Sequence, residues 1–212
     1  MEAWKEKVPE SLHLKYEIYN FNHAVEVLSQ AYTSEYADII DALEIFSFTT
    51  ADLLVGGGSE SAVPKKFSSL LRPRGWQEVK ITGDLLVKLK YRNPPGDAEQ
   101  VIENFIGGHN IDYVKNRVAI DMEWNSKDQT FDRDLFAFRS FYEYNIISCG
   151  LIITRSAELN PVFKQLGITA KYGASTTWMG KLLPRISSGR HGGCPLMVVG
   201  IKPEAITDWE ES

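Results

Sequence analysis

Cysteine is scarce: Cys149 and Cys194 are the only two in 212 residues. Each sits in an apolar stretch with no metal-ligand spacing, which excludes a disulfide scaffold and a thiolate zinc site and predicts buried reduced thiols. Missing too is any apolar run near the ~18 to 20 residues that cross a bilayer, so no membrane partner is expected. The opening Met1-Glu2-Ala3-Trp4-Lys5-Glu6-Lys7 lacks the basic start and apolar stretch of a secretory signal, and with reduced thiols this points to the cytoplasm. Nor is there an excess of positive charge. A net charge of −5 argues against indiscriminate coating of nucleic acid, because phosphate neutralisation supplies non-specific affinity. Repeats, low-complexity tracts and interdomain linkers are absent as well. With 43% hydrophobic and 24% charged residues, the chain suits one core, and a single domain over 1–212 is expected.

What is present is a succession of strand and helix signals. Apolar residues from His23 to Phe46 recur at three- and four-residue spacing, predicting one long helix or two joined near Thr33-Ser34. Gly56-Gly57-Gly58-Ser59 breaks the chain, without the terminal Gly-Lys-Ser/Thr of a nucleotide loop. A short basic helix follows over 62–71. Trp76 to Ile81 and Leu85 to Tyr91, flanking Thr82-Gly83-Asp84, read as a β-hairpin, and Ala98 to Phe105 as a helix. Phe131, Leu135, Phe138 and Tyr142 fall on one helical face, which Phe136 and Phe141 widen beyond the need of one neighbour. A buried strand over 146–154, helices near 157–166 and 178–186 and a last strand over 195–201 complete the series. Alternation of this kind implies an α/β fold, a central mixed β-sheet flanked by helices on both sides. Basic residues cluster at Lys65, Lys66, Arg72 and Arg74, at Lys88, Lys90 and Arg92, and at Lys181, Arg185 and Arg190.

Within this framework three acids stand out. Val118-Ala119-Ile120-Asp121-Met122-Glu123-Trp124 reads as a strand, on which Asp121 and Glu123 share one face and Ile120, Met122 and Trp124 the other. Two carboxylates are then fixed roughly 6 to 7 Å apart at the backbone. Most Asp-x-Glu pairs on strands decorate a solvated edge. This strand is too apolar for an edge, however, and like charges repel unless a cation lies between them. Asp112 lies nine residues before Asp121, and a bend after it would return the chain along the adjoining strand. Three converging carboxylates suit a hard divalent cation, and with it phosphodiester hydrolysis.

The pattern resembles the PD-(D/E)-x-K nuclease signature, with Glu123 in the position of the usual lysine. That departure is shared by the BglII/BstYI/BamHI group of type II restriction endonucleases. The segment Asp112-Tyr113-Val114-Lys115-Asn116-Arg117-Val118-Ala119-Ile120-Asp121 is similar to that group's passage through its active site, with Asp for the usual Glu at 121. The basic helix ending in Arg74-Gly75-Trp76 and the stretch Ile186 to Pro203 extend the resemblance over residues 60–203. It implies a restriction-endonuclease-like core and a homodimer that cuts both strands of a short palindrome, in some relatives centred on GATC, leaving 5′ overhangs. Asp112, Asp121 and Glu123 would be the catalytic metal ligands for one or two Mg²⁺, with Mn²⁺ able to substitute, and Glu123 would also orient the attacking water. Without the lysine charge, the metals must stabilise more of the transition state. A cognate DNA methyltransferase is the implied functional partner.

Double-stranded DNA as substrate requires donors and acceptors that reach base edges. Asn125, Ser126 and Lys127, directly after the acidic strand, form one candidate set; Ser175, Thr176 and Thr177 form a second; Arg190 and His191 form a third. Helix caps and phosphate contacts are the ordinary roles for such residues. The competing readings are a repair or mobile-element nuclease on the same fold, a catalytically inactive DNA-reading module, and a structural or protein-binding domain.

Overall fold

The computed structural model describes residues 3–55 and 61–209; the Gly56-to-Ser59 stretch lies outside the described residues. The elements run α1 (Glu10–Lys15), β1 (Tyr16–Phe21), α2 (Ala24–Ala31), α3 (Thr33–Ile45), α4 (Thr50–Leu54), α5 (Ala62–Leu71), β2 (Gln77–Arg92), β3 (Pro95–Lys115), β4 (Val118–Glu123), α6 (Thr130–Glu143), β5 (Cys149–Arg155), α7 (Leu159–Gln165), α8 (Met179–Ser187) and β6 (Leu196–Ile201). The predicted α/β architecture is found: one six-stranded mixed sheet in the order β1-β6-β5-β4-β3-β2. β4, β5 and β6 are parallel, whereas β1, β2 and β3 join antiparallel.

Alternation along the central strands divides the core in two. Ile120 and Met122 of β4, Leu151 and Ile153 of β5, and Met197 and Val199 of β6 face a layer built from the N-terminal helices and α7. Ala119, Ile152, Leu196 and Val198 face α6 and α8, where Phe131, Leu135, Phe138, Leu182 and Ile186 cover them. Strands buried on both faces read as nearly continuous apolar runs, as in Leu196-Met197-Val198-Val199. Both cysteines are buried and free. The helical stretch 23–46 divides into α2 and α3 at Tyr32.

Two expectations fail in one place. Residues 82–84 are not a hairpin turn and 98–105 is not a helix. Gln77–Arg92 and Pro95–Lys115 form one long antiparallel ribbon that turns at Asn93-Pro94, with Arg92 opposite Pro95. The Thr82-Gly83-Asp84 signal marks register shifts between Ile81 and Leu85, a place where glycine relaxes strand geometry without ending the strand. From about Leu85 to Phe105 the ribbon leaves the sheet, and Leu86, Leu89, Tyr91, Val101 and Phe105 are exposed. On the predicted aromatic helix, Phe131, Leu135, Phe138 and Phe141 are core; Phe136 is 68% exposed and Tyr142 only partly covered.

Candidate active site

β4 is an interior strand, paired with β3 on one side and β5 on the other, and all six of its residues are buried. Asp121 and Glu123 are therefore not solvated edge decoration. They point to the α6 side, where the same face carries Ala119 in the core. The turn after β3 is tight: Lys115 pairs with Val118, and Asn116 takes the positive φ of +50° that such a turn needs. That turn brings Asp112 back alongside Asp121, as the spacing predicted.

Beyond the Tyr113–Ile120 pair the two strands are tied by the acids themselves. The backbone N–H of Asp112 donates to Asp121 Oδ1 at 2.9 Å, and the N–H of Met122 donates to Asp112 Oδ2 at 3.0 Å. One oxygen of each carboxylate is thus committed to the scaffold. At the end of β4, the Thr154 hydroxyl donates to the carbonyl of Glu123 at 2.7 Å and fixes the strand's last residue. Asp121 Oδ2 and Glu123 Oε2 are buried without a hydrogen-bond partner, an arrangement that costs free energy unless a cation or donor completes it.

The charges oppose one another. Burial, followed by the charge of Asp121, pushes the Asp112 carboxyl up to about 7. Glu123 is raised by burial and by Asp121, against the pull of the Ser126 hydroxyl and Arg133. Asp134 of α6, which is 1% exposed, is pushed up to about 10 by burial and then by Asp121 and Glu123. So many carboxylates cannot all ionise in so little water without a compensating cation. The donor set is all oxygen and suits a hard divalent ion held by Asp112, Asp121 and Glu123.

Asp112 and Glu123 open onto a cleft of about 680 Å³ whose wall includes Ser68, Arg72, Asn125, Ser126 and Lys171. Arg72 lies over the Tyr113 ring, its guanidinium 4.7 Å from the centroid. The ammonium of Lys171 donates to the carbonyls of Leu53 and Val55. These two cations bring to the cleft the positive charge that Glu123 cannot supply. Sequence reasoning passed over Lys171 altogether and placed Arg72 only in a basic cluster.

Two of the three candidate DNA-contacting sets converge. The N–H of Asp128 donates to the carbonyl of Ser175 and the N–H of Thr177 to that of Ser126, both at 2.9 Å, with Lys127 bridged to Thr176. Ser126, Lys127 and Ser175 are exposed and Asn125 is half-buried at the cleft. Thr177 is fully buried, and the Thr176 hydroxyl donates to Gly173 and accepts from Arg155. Thr176, half-buried, and Thr177, buried, are thus held within the loop. Arg190 is exposed and pairs with Asp132, which also accepts from Arg185 at 3.0 Å. His191 is buried beside Phe21 and bonded to Asn22 at 3.2 Å, which withdraws it from the surface.

The residue that holds this corner together is Arg155. Buried at the end of β5, it donates from Nε to the carbonyls of Trp124 and Thr177 and from Nη2 to the Thr176 hydroxyl, and its guanidinium lies over Tyr172 and Phe163. A charged residue closing the apolar run Leu151-Ile152-Ile153-Thr154 was the signal for it. Asp134, set among Phe131, Leu135 and Phe138 on the inward face of α6, was similarly visible in the spacing.

Residues 16–201, from the first residue of β1 to the last of β6, match the family model described as Restriction endonuclease BglII/BglIII. Among curated proteins nothing matches the chain.

Proposed function

The chain belongs to the BglII/BglIII restriction endonuclease family and is a type II site-specific deoxyribonuclease acting on double-stranded DNA; on that premise we propose that it is a Mg²⁺-dependent homodimer cutting a short palindrome to leave 5′ overhangs. The observation that carries the metal reading is the buried group of Asp112, Asp121 and Glu123, with free oxygens on Asp121 and Glu123 at the end of an interior strand. When bound there, the ion offsets the charge that builds on the scissile phosphodiester and eases deprotonation of the attacking water.

The chain's own groups do the rest. Arg72 and Lys171 hold the phosphate backbone in the cleft by charge. Asp112, tied to the Met122 N–H, keeps its second oxygen directed to the metal position. Glu123, on the cleft wall, orients the water. Ser126, Lys127 and Ser175, on the joined loops beside the cleft, read base edges, and Arg155 positions those loops without touching DNA. Cleavage of both strands requires two such sites related by a twofold axis, as in a C2 dimer on a palindrome. A cognate methyltransferase protects the host's own copies of the site.

Digestion of a plasmid of known sequence with Mg²⁺, followed by sequencing of the fragment ends, tests this reading. We expect a few discrete sites with 5′ extensions, no cutting in EDTA and recovery with Mn²⁺. Asp121→Asn and Glu123→Gln should each lose at least ~10³-fold in rate, the scale on which one group stabilising transition-state charge acts. A smear, or cutting that persists in EDTA, would refute it.

A further inference from the structure

Behind the catalytic acids lies a second group of donors with different chemistry. Nε2 of His109 on β3 stands 3.9 Å from Asp121 Oδ2 and 3.5 Å from Asp134 Oδ1. One ligand atom from each of His109, Asp121 and Asp134 lies within 4.8 Å of the other two. The side chains of Asp121 and Asp134 are 4% and 1% exposed, and that of His109 is 11% exposed. His109 Nε2 and Asp121 Oδ2 are buried with no hydrogen-bond partner, and the buried Asp134 carboxyl has only the Glu123 carboxyl as a side-chain hydrogen-bond partner. An imidazolium bridging two carboxylates would draw its oxygens to about 2.7 to 2.9 Å, the range of charge-assisted bonds. The spacing here is wider. Donors about 2.0 to 2.2 Å from a tetrahedral ion stand about 3.4 Å from one another, close to the His109–Asp134 separation.

We infer that His109, Asp121 and Asp134 form a binding site for a transition-metal ion of the zinc and cobalt class, distinct from the Mg²⁺ position. An imidazole nitrogen beside two carboxylates selects such ions, whereas Mg²⁺ favours oxygen donors and retains its waters. The three ligands come from β3, β4 and α6, so the ion fastens α6 to the sheet at the level of the active site. The nearest competing cation is Arg133, whose Nε is 3.6 Å from Asp134 Oδ1 but whose side chain is 65% exposed. It remains on the solvent side and leaves the space between His109 and Asp121 to the ion. The site shares only Asp121 with the Mg²⁺ reading and does not depend on cleavage.

Metal-free protein titrated with Co²⁺ tests the inference through the visible d–d band and through melting temperature. The expected result is a band of low-coordinate intensity, and a melting temperature raised by micromolar Zn²⁺ more than by millimolar Mg²⁺. His109→Gln and Asp134→Asn should each weaken Co²⁺ binding at least tenfold with the far-ultraviolet circular dichroism unchanged. Glu123→Gln, which removes a carboxylate outside the proposed ligand set and leaves an amide beside Asp134, should keep the band. Absence of a band, or a band that survives His109→Gln, overturns the site. Should His109→Gln not fold, nitrogen-15 spectra of the wild-type histidines decide. Zn²⁺ must move the Nε2 resonance of the imidazole adjoining Phe141, the ring 6.5 Å from His109. If all the imidazoles stay unmoved, the inference fails.

Discussion

Asp112 and Asp134 hold their protons more tightly in the folded chain than free carboxyls do, because burial and neighbouring acids penalise their charged forms. Their contribution to stability is therefore complete below the ordinary value of 3.8. For Asp112 it is lost as the pH climbs toward about 7. In EDTA, the melting temperature of wild type minus that of Asp112→Asn should fall between pH 4 and pH 7 and level off above, and millimolar Mg²⁺ should remove most of that fall. Arg155 offers a test of a different kind. Arg155→Met leaves the buried carbonyls of Trp124 and Thr177 without their donor, and each unpaired group costs about 1 to 3 kcal/mol. Urea unfolding should show a loss on the order of 3 kcal/mol. Arg155→Lys should not rescue it, since one ammonium cannot reproduce the guanidinium's flat, forked set of donors over two rings. Of these residues the sequence displayed Asp112, Asp121 and Glu123 plainly, because strand alternation and chain spacing place them without any knowledge of neighbours. His109 was hidden, since its partner on α6 is 25 residues away and its own segment adjoined one read as a helix.

Strands and helices packed against the core were legible for the same reason: one or both faces are apolar at a fixed period. The ribbon of β2 and β3 was misread because beyond Leu85 it packs on nothing, so no buried face imposes alternation, and Gly83 mimics a turn where it only shifts register. β1 went unread because, at the sheet's edge, Glu17 and Asn20 interrupt an otherwise apolar and aromatic segment that is mostly half-buried. The outer ribbon contributes no buried side chain between residues 85 and 105. Gly83 and Ile106 are opposite one another, so excising residues 84–105 and joining these ends through Asn-Gly should leave the melting temperature within a few degrees. Calorimetry checks this, and a collapse of the fold would show that the ribbon is part of the core's support.

At the scale of the molecule, Phe136, Tyr144 and Ile146 on α6 and the turn after it are exposed apolar side chains. If the dimer forms there, Phe136→Lys should shift the sedimentation coefficient from dimer to monomer at micromolar concentration, and double-strand cutting should give way to nicking. Sheet topology has a further consequence, for the cell that makes the protein. β1 is paired only to β6, so the first strand is not seated until the last strand has been synthesised, whereas the acidic strand has both its neighbours, β3 and β5, by residue 155. Domains complete their folding when their final elements become available. A nascent or truncated chain that stops before residue 196 therefore carries every catalytic acid on a sheet that still lacks β6 and, with it, the seat of its first strand.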